Sequence, residues 1–346
     1  MARRAARSAA VRRTDELSVR RSMTGRLALL AFIAIAAAPG TWLRDAPAAP
    51  DYRDRLAFAA LDIEPQALGE VRLEGAWEMT SAHPHFGSWS ALVSLGDGTL
   101  LAASDRGRLM RFAPPGEALR GVRFLSERAA HTEPKKYRDL ESLTRDPASG
   151  AIWAGYESRN VIARLDSAFA EQAAVRPEAM ASWPSNSGAE TLVRLADGRF
   201  LVIAEGRPGE GDGNMPALLF PGDPLKGGSP QEFAFRPPDG MRPVDGAQLP
   251  NGRLLILVRM VVWGVPPRFE SALVLTGAIG STPPEMLSGA VIARFSAPLP
   301  SDNFEGLAIA GREDGGATAW LVSDDNDSAF QRSLLVRLAI PAGLSR

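Results

Sequence analysis

One short structural phrase recurs five times in this chain. In residues 89–107, 139–159, 188–207, 244–259 and 303–326, two apolar stretches of strand length flank a glycine turn. The turn glycines Gly98, Gly150, Gly198 and Gly252 follow one another at intervals of 52, 48 and 54 residues, and 64 residues separate Gly252 from Gly316. Asp97-Gly98, Asp197-Gly198 and Asn251-Gly252 supply the positive φ that a tight hairpin needs. A hairpin cannot bury both of its faces alone, so its recurrence at this period predicts units that bury themselves against their neighbours.

Little helical periodicity interrupts the pattern after residue 70. The expectation is an all-β fold, a β-propeller of six blades, with five and seven as the neighbouring counts. Five blades come from the five copies. A sixth forms if a strand around residues 70–80 pairs with C-terminal strands such as 333–340 to close the ring. A β-sandwich of hairpins is the competing architecture, and the regular long period argues against it.

Composition removes several functional classes. With 45% hydrophobic and 23% charged residues, the chain is neither wholly disordered nor a polytopic membrane protein. It has no Cys, which excludes thiol nucleophiles, Cys-ligated zinc and iron–sulfur clusters. The net charge of −1 averages two unlike parts. Residues 1–38 hold eight arginines against Asp15 and Glu16, a net of +6, and the remaining 31 basic and 38 acidic residues leave −7. An acidic body argues against sequence-independent nucleic-acid binding, which depends on cationic surface.

The basic head precedes twelve apolar residues, Leu27–Ala38, where a spanning helix needs about 20. A basic start, a short apolar run and then small residues describe an export signal. Arg20-Arg21 is a weak twin-arginine match. The expected organisation is an export signal or anchor over residues 1–48, a linker over 49–68 and a propeller over 69–346. The protein is then expected in the periplasm or secreted, or held at the inner membrane if the segment is retained, and monomeric.

Superposing the five copies produces two columns. Ser90, Glu141, Glu190, Asp245 and Glu305 fall near the start of the first strand, and Asp105, Glu157, Glu205, Arg259 and Asp324 just after the second. Ser90 to Asp105 and Glu190 to Glu205 each span 15 residues, and Glu141 to Glu157 spans 16. If first strands line a central channel, these groups converge at one mouth, with Arg106, Arg159 and Arg207 trailing the acids. Taken singly the acids read as strand-end and turn residues; repeated in register they read as a set. Two carboxylates about 5 Å apart repel by roughly 3 kcal/mol at an effective dielectric near 20. Converging acids therefore need cations, arginine partners or raised pKa values. Oxygen-only ligation suits Ca²⁺ better than zinc.

Residues 86–107 (FGSWSALVSLGDGTLLAASDRG) and 302–326 (DNFEGLAIAGREDGGATAWLVSDDN), followed by Gln331-Arg332-Ser333-Leu334-Leu335, resemble the phytase-like β-propeller family, also called the esterase-like activity of phytase domain. Asp139-Leu140-Glu141 and Gly188-Ala189-Glu190 fit it too. The resemblance spans about 69–340 and implies a six-bladed propeller that hydrolyses phosphate esters with several Ca²⁺ ions in its channel. Two positions depart from the pattern: Ser90 replaces an acid in one copy and Arg259 in another.

On this reading Glu141, Glu190 and Glu305 act as base or ligand, and Asp105, Glu157, Glu205, Asp245 and Asp324 hold metal. Arg106, Arg159 and Arg207 orient an anionic substrate such as a phosphate ester. The alternative is a non-catalytic propeller that binds a ligand or partner protein and carries structural calcium. His83 and His85 flank Pro84, which disfavours a regular strand and makes a loop the expectation. His131 lies in a polar stretch and also reads as loop. Ser90 and Ser142 are the nearest serine nucleophiles, without an evident His partner or nucleophile elbow. Residues 206–213 are glycine-rich but lack the lysine ending of a phosphate cradle.

Overall fold

A computed structural model describes residues 25–35, 49–117, 121–126, 139–185, 188–206, 213–264, 267–328 and 331–345. The chain divides into two compact units, Met1–Pro50 and Asp51–Arg346. In the first, residues 25–35 form an exposed α-helix. No helix among the described residues is long and apolar enough to cross a membrane.

The second unit is built from β-strands. It opens with β1 (Ala57–Ala60), β2 (Gln66–Leu68) and β3 (Val71–Thr80). The first blade comprises β4 (Trp89–Ser94), β5 (Leu100–Ser104), β6 (Arg108–Phe112) and β7 (Val122–Ser126). The second comprises β8 (Leu140–Arg145), β9 (Ile152–Tyr156), β10 (Val161–Leu165) and β11 (Glu171–Val175). The third has β12 (Ala189–Arg194), β13 (Phe200–Ala204), β14 (Met215–Phe220) and β15 (Gln231–Phe235). The fourth has β16 (Arg242–Gln248), β17 (Arg253–Val262), β18 (Arg268–Ala278) and β20 (Gly289–Phe295), while the short β19 (Met286–Leu287) crosses to pair with β15. The fifth has β21 (Phe304–Gly311), β22 (Ala317–Ser323) and β23 (Leu334–Ile340), with β3 as its fourth strand and β1 beyond.

The propeller therefore has five blades, not six. The expected pairing of the early strand with the C-terminal one is present, with Leu334 opposite Glu78 and Ala339 opposite Arg72. That pairing completes a blade which has only three strands of its own, so it adds none. Residues 49–68, read from the sequence as a linker, contain β1 and β2, which both pair with β3.

Apolar packing closes the ring. Five buried clusters occupy the five boundaries between neighbouring blades. β5 shows why second strands are continuously apolar. Leu101 and Ala103 face the second blade, while Leu100 and Ala102 face Trp320 and Val322 of the fifth. A strand covered on both sides has no polar face to alternate with. The turn glycines Gly98, Gly150, Gly198, Gly252 and Gly315 all have positive φ, between 76° and 90°, as the hairpin reading requires.

Side chains also tie the first strands to one another. Ser90 Oγ donates to Leu140 O at 2.6 Å and Ser142 Oγ donates to Ala189 O at 2.7 Å. These bonds give Ser90 and Ser142 a bracing role at the blade boundaries. A Cβ on Gly306 would lie 2.9 Å from the Ala91 carbonyl carbon, so the fifth and first blades approach through a glycine.

Candidate functional site

Every first strand carries a β-bulge near its start. Pairing skips one residue between Trp89 and Ala91, Leu140 and Ser142, Ala189 and Thr191, Pro243 and Asp245, and Phe304 and Gly306. The skipped residues are Ser90, Glu141, Glu190, Val244 and Glu305. A bulge re-aims one side chain out of the ladder, and in three blades that side chain is a glutamate. The second column follows the end of the second strand: Glu157 N donates to Asp139 O and Asp324 N to Asn303 O, both at 2.9 Å.

These positions meet at one mouth of the ring. Donor oxygens of Asp139, Glu141 and Glu157 all lie within 4.8 Å of one another, as do those of Glu157, Glu190 and Glu205. Glu157 belongs to both groups. Burial, with the charges of Glu305, Asp139, Glu157 and Asp105, holds the Glu141 carboxyl well above its ordinary pKa. Glu190 is raised in the same way by burial and by Glu141, Glu205 and Glu157. Burial and the Asp139 charge push Glu157 up to about 7, although a hydrogen bond with Glu190 pulls the other way. Asp324 is pushed up to about 8 by burial and by Glu305. Glu305 is raised by burial, which outweighs the opposing Arg259 charge.

The fourth blade differs. Where its neighbours carry acids it carries Val244 at the bulge and Arg259 after the second strand. Arg259 Nη1 lies 3.1 Å from Glu305 Oε1 and Nη2 lies 3.4 Å from Glu205 Oε1. Arg259 also donates to Asn303 Oδ1, and Arg242 Nη1 lies 3.2 Å from Glu205 Oε2. Two guanidinium groups thus neutralise one side of the acidic mouth, that of Glu205 and Glu305.

Of the acids named from the sequence, the structure brings together Glu141, Glu157, Glu190, Glu205 and Glu305, with Asp105 and Asp324 beside Glu305. Asp245 stands apart. It lies one position beyond the bulge, is fully buried, and its carboxylate accepts from Gly246 N at 2.7 Å, Leu307 N at 2.6 Å and Leu92 N. Three backbone donors from three blades make it an internal tie.

The three arginines named from the sequence do not form a common cradle. Arg106 lies 3.9 Å from Asp105 and pairs with Asp327. Arg159 turns toward Glu171 at 3.5 Å, on the outermost strand of its own blade, over the Tyr156 ring. Arg207 lies outside the described residues, as do His131 and most of residues 206–213. His83 and His85 sit in a loop as expected, with the His83 ring stacked on Phe124 at 4.0 Å. Sequence reasoning missed Asp139, Arg242 and Asn303, which precede the bulge by two residues in their blades. That shared offset is the signal that would have found them.

The donor set fits a hard cation: it is all oxygen, crowded and partly closed to solvent, and its carboxylates are costly to ionise together. Asp139, Glu141, Glu157, Glu190 and Glu205 are the residues that would hold one.

Solved structures similar to this chain include the WD40 repeats of RRP9 (TM-score 0.41, 10% identity, covering 80% of this chain and 99% of that one). Others are U3-55K (0.40, 10%, 75% and 97%) and the Pan2 WD40 domain of Neurospora crassa (0.33, 10%, 76% and 92%). No curated protein matches the chain. The model of the phytase-like family, described as esterase-like activity of phytase, matches residues 84–327, from the loop before the first blade to the turn after β22. The acidic mouth lies wholly within that match, and the chain belongs to the phytase-like family.

Proposed function

We propose that this phytase-like propeller binds Ca²⁺ at its acidic mouth and hydrolyses a phosphate ester there. The observation that carries the reading is the pair of carboxylate groups sharing Glu157. Such crowding is tolerated when a cation or shared protons offset the repulsion. When bound, a divalent cation neutralises substrate phosphate and acidifies water.

The chain's own residues supply the rest. Glu305 is the base: Arg259 and the Asn303 amide both contact its Oε1, which fixes the carboxylate and leaves Oε2 to take a proton. Water attacks phosphorus as Glu305 Oε2 accepts its proton, the P–O bond to the leaving oxygen breaks, and that oxygen takes a proton from solvent to depart as the alcohol. A carboxylate with a raised pKa is a stronger base at neutral pH. With Arg259 held by Glu205 and Glu305, Arg106 beside Asp105 and Arg242 beside Glu205 are the cations that meet a small anionic substrate.

Turnover of p-nitrophenyl phosphate and of phytate, in calcium and in chelator, tests this. Chelation is expected to abolish hydrolysis, and Glu305→Gln to lower kcat about 100-fold. Hydrolysis indifferent to both overturns it. The second reading, a ligand-binding propeller with structural calcium, is favoured by the hold Arg259 already has on Glu205 and Glu305; it gives stabilisation by calcium without turnover. Residues 1–48 direct export in this proposal, and cell fractionation with and without them tests it.

A further inference from the structure

The acidic mouth uses the starts of the five first strands and the ends of the second strands. The far ends of the first strands surround an open cavity of about 600 Å³, to which β4 contributes Ser94, β8 Arg145, β12 Arg194, β16 Gln248 and β21 Gly311. Along β8, Glu141 and Arg145 are four residues apart, which places the two ends about 13 Å from one another. Between them lies the Asp245 tie. All three residues whose N–H groups it accepts, Leu92, Gly246 and Leu307, line the cavity, so the two mouths are separate sites.

The cavity has the composition of a ligand pocket. Its walls include the buried side chains of Leu143, Val193 and Leu249. Most of its polar side chains are already engaged. Thr144 Oγ1 accepts from Arg194 N at 2.8 Å, and Gln248 Oε1 accepts from Ala196 N at 2.7 Å. Arg194 Nη1 lies 3.2 Å from Asp146 Oδ1.

Arg145 is different. It is half-buried, and its guanidinium reaches toward the turn of the first blade, 3.0 Å from where a Cβ on Gly96 would lie. Among the described residues its side chain makes no hydrogen bond or ion pair. A half-buried guanidinium without a protein acceptor keeps its donors available to an anion that enters the cavity. Glu117, the one acid lining the cavity among the described residues, is exposed.

We infer that this far mouth binds an organic anion, a carboxylate or sulfonate on an apolar body, with Arg145 meeting the charged head and the leucine and valine walls covering the body. Binding is independent of the acidic mouth and of calcium.

The probe is 1-anilinonaphthalene-8-sulfonate, followed by its fluorescence on the folded protein, with decanoate as competitor and neutral N-phenyl-1-naphthylamine as the uncharged control. One saturable site is expected, displaced by decanoate and equal within twofold in calcium and in chelator. Arg145→Gln is expected to weaken the anionic probe about tenfold and to leave the neutral one unchanged, while Arg145→Lys retains most of the affinity. Ala196→Trp, at the exposed rim of the cavity, is expected to block both probes without unfolding the chain, as judged by circular dichroism. The inference is overturned by absence of a saturable site, by equal binding to Arg145→Gln in a folded variant, or by failure of decanoate to compete. Loss of binding in chelator alone would instead move the site to the acidic mouth.

Discussion

Arg259 of the fourth blade and Glu305 of the fifth face each other across the blade boundary, guanidinium to carboxylate at 3.1 Å. Arg259 occupies a position that is acidic in the other four blades, so a resident cation stands where the register otherwise places a carboxylate. Removing it takes the guanidinium from Glu305 and leaves Glu205 with Arg242 alone. Arg259→Gln is expected to lower the stability of the chelator-treated protein by about 3 kcal/mol. It is also expected to raise calcium binding by one ion per chain. Urea denaturation and calorimetric titration check the two parts; unchanged stoichiometry would show that Arg259 does not stand in for a metal.

The raised carboxylates give the metal-free protein a particular pH dependence. Their folded pKa values exceed the unfolded ones, with Glu157 at about 7 and Asp324 at about 8. Between the ordinary carboxylate range and pH 8 the folded state therefore binds more protons than the unfolded state. Stability must fall as pH rises through that window. Denaturation in chelator between pH 4.5 and 8.5 is expected to show this decline, and calcium is expected to flatten it. Stability that rises with pH throughout would contradict the site as described.

Asp245 makes a contrasting prediction. Its carboxylate accepts from backbone N–H groups on β16, β21 and β4. Asp245→Ala strands three buried donors, each costing about 1–3 kcal/mol, and is expected to lower stability by at least about 3 kcal/mol. Calcium affinity of the protein that remains folded is expected to stay within a few-fold of the parent. A large selective loss of calcium binding would return Asp245 to the metal ligands.

The fifth blade is clasped by Glu74 on β3, whose Oε2 accepts from Arg337 Nε at 2.7 Å while Oε1 lies 3.2 Å from Arg312 Nη1. Burial alone would raise its pKa, but the Arg337 hydrogen bond and the two arginine charges outweigh it and hold the carboxyl below its ordinary value. A depressed carboxylate stabilises the fold above its unfolded pKa, and that contribution is lost as pH falls below about 4.5. Glu74→Gln is expected to cost about 1 kcal/mol at pH 7. The cost should shrink as pH falls from the ordinary carboxylate range through the depressed folded pKa, which thermal melts at pH 7 and pH 3 would show.

The hairpin repeat was legible because glycine turns and apolar pairs are local signals. The blade count was not, since nothing in residues 70–80 reveals whether the strand starts a sheet or finishes one. Glu141, Glu190 and Glu305 were legible as a column because each stands at its blade's bulge. Asp245 was aligned with them as the nearest acid. A bulge adds one residue, however, and a one-residue slip sends a side chain to a different environment. Arg159 was read by its spacing from Glu157, but its direction depends on Glu171, a partner from another strand that no local pattern discloses.

The clasp between Glu74 and Arg337 joins residues 263 positions apart, and this sets the order in which the molecule can be completed. Four blades are each assembled from nearby chain and can form as synthesis proceeds. The fifth cannot, because its outer strand is made early and its inner three last. Until β23 has been made, β3 pairs only with β1 and β2, and the apolar sides of the first and fourth blades face a gap. Closure is therefore the slowest kind of contact to form, and anything that meets the chain before that moment meets an open ring.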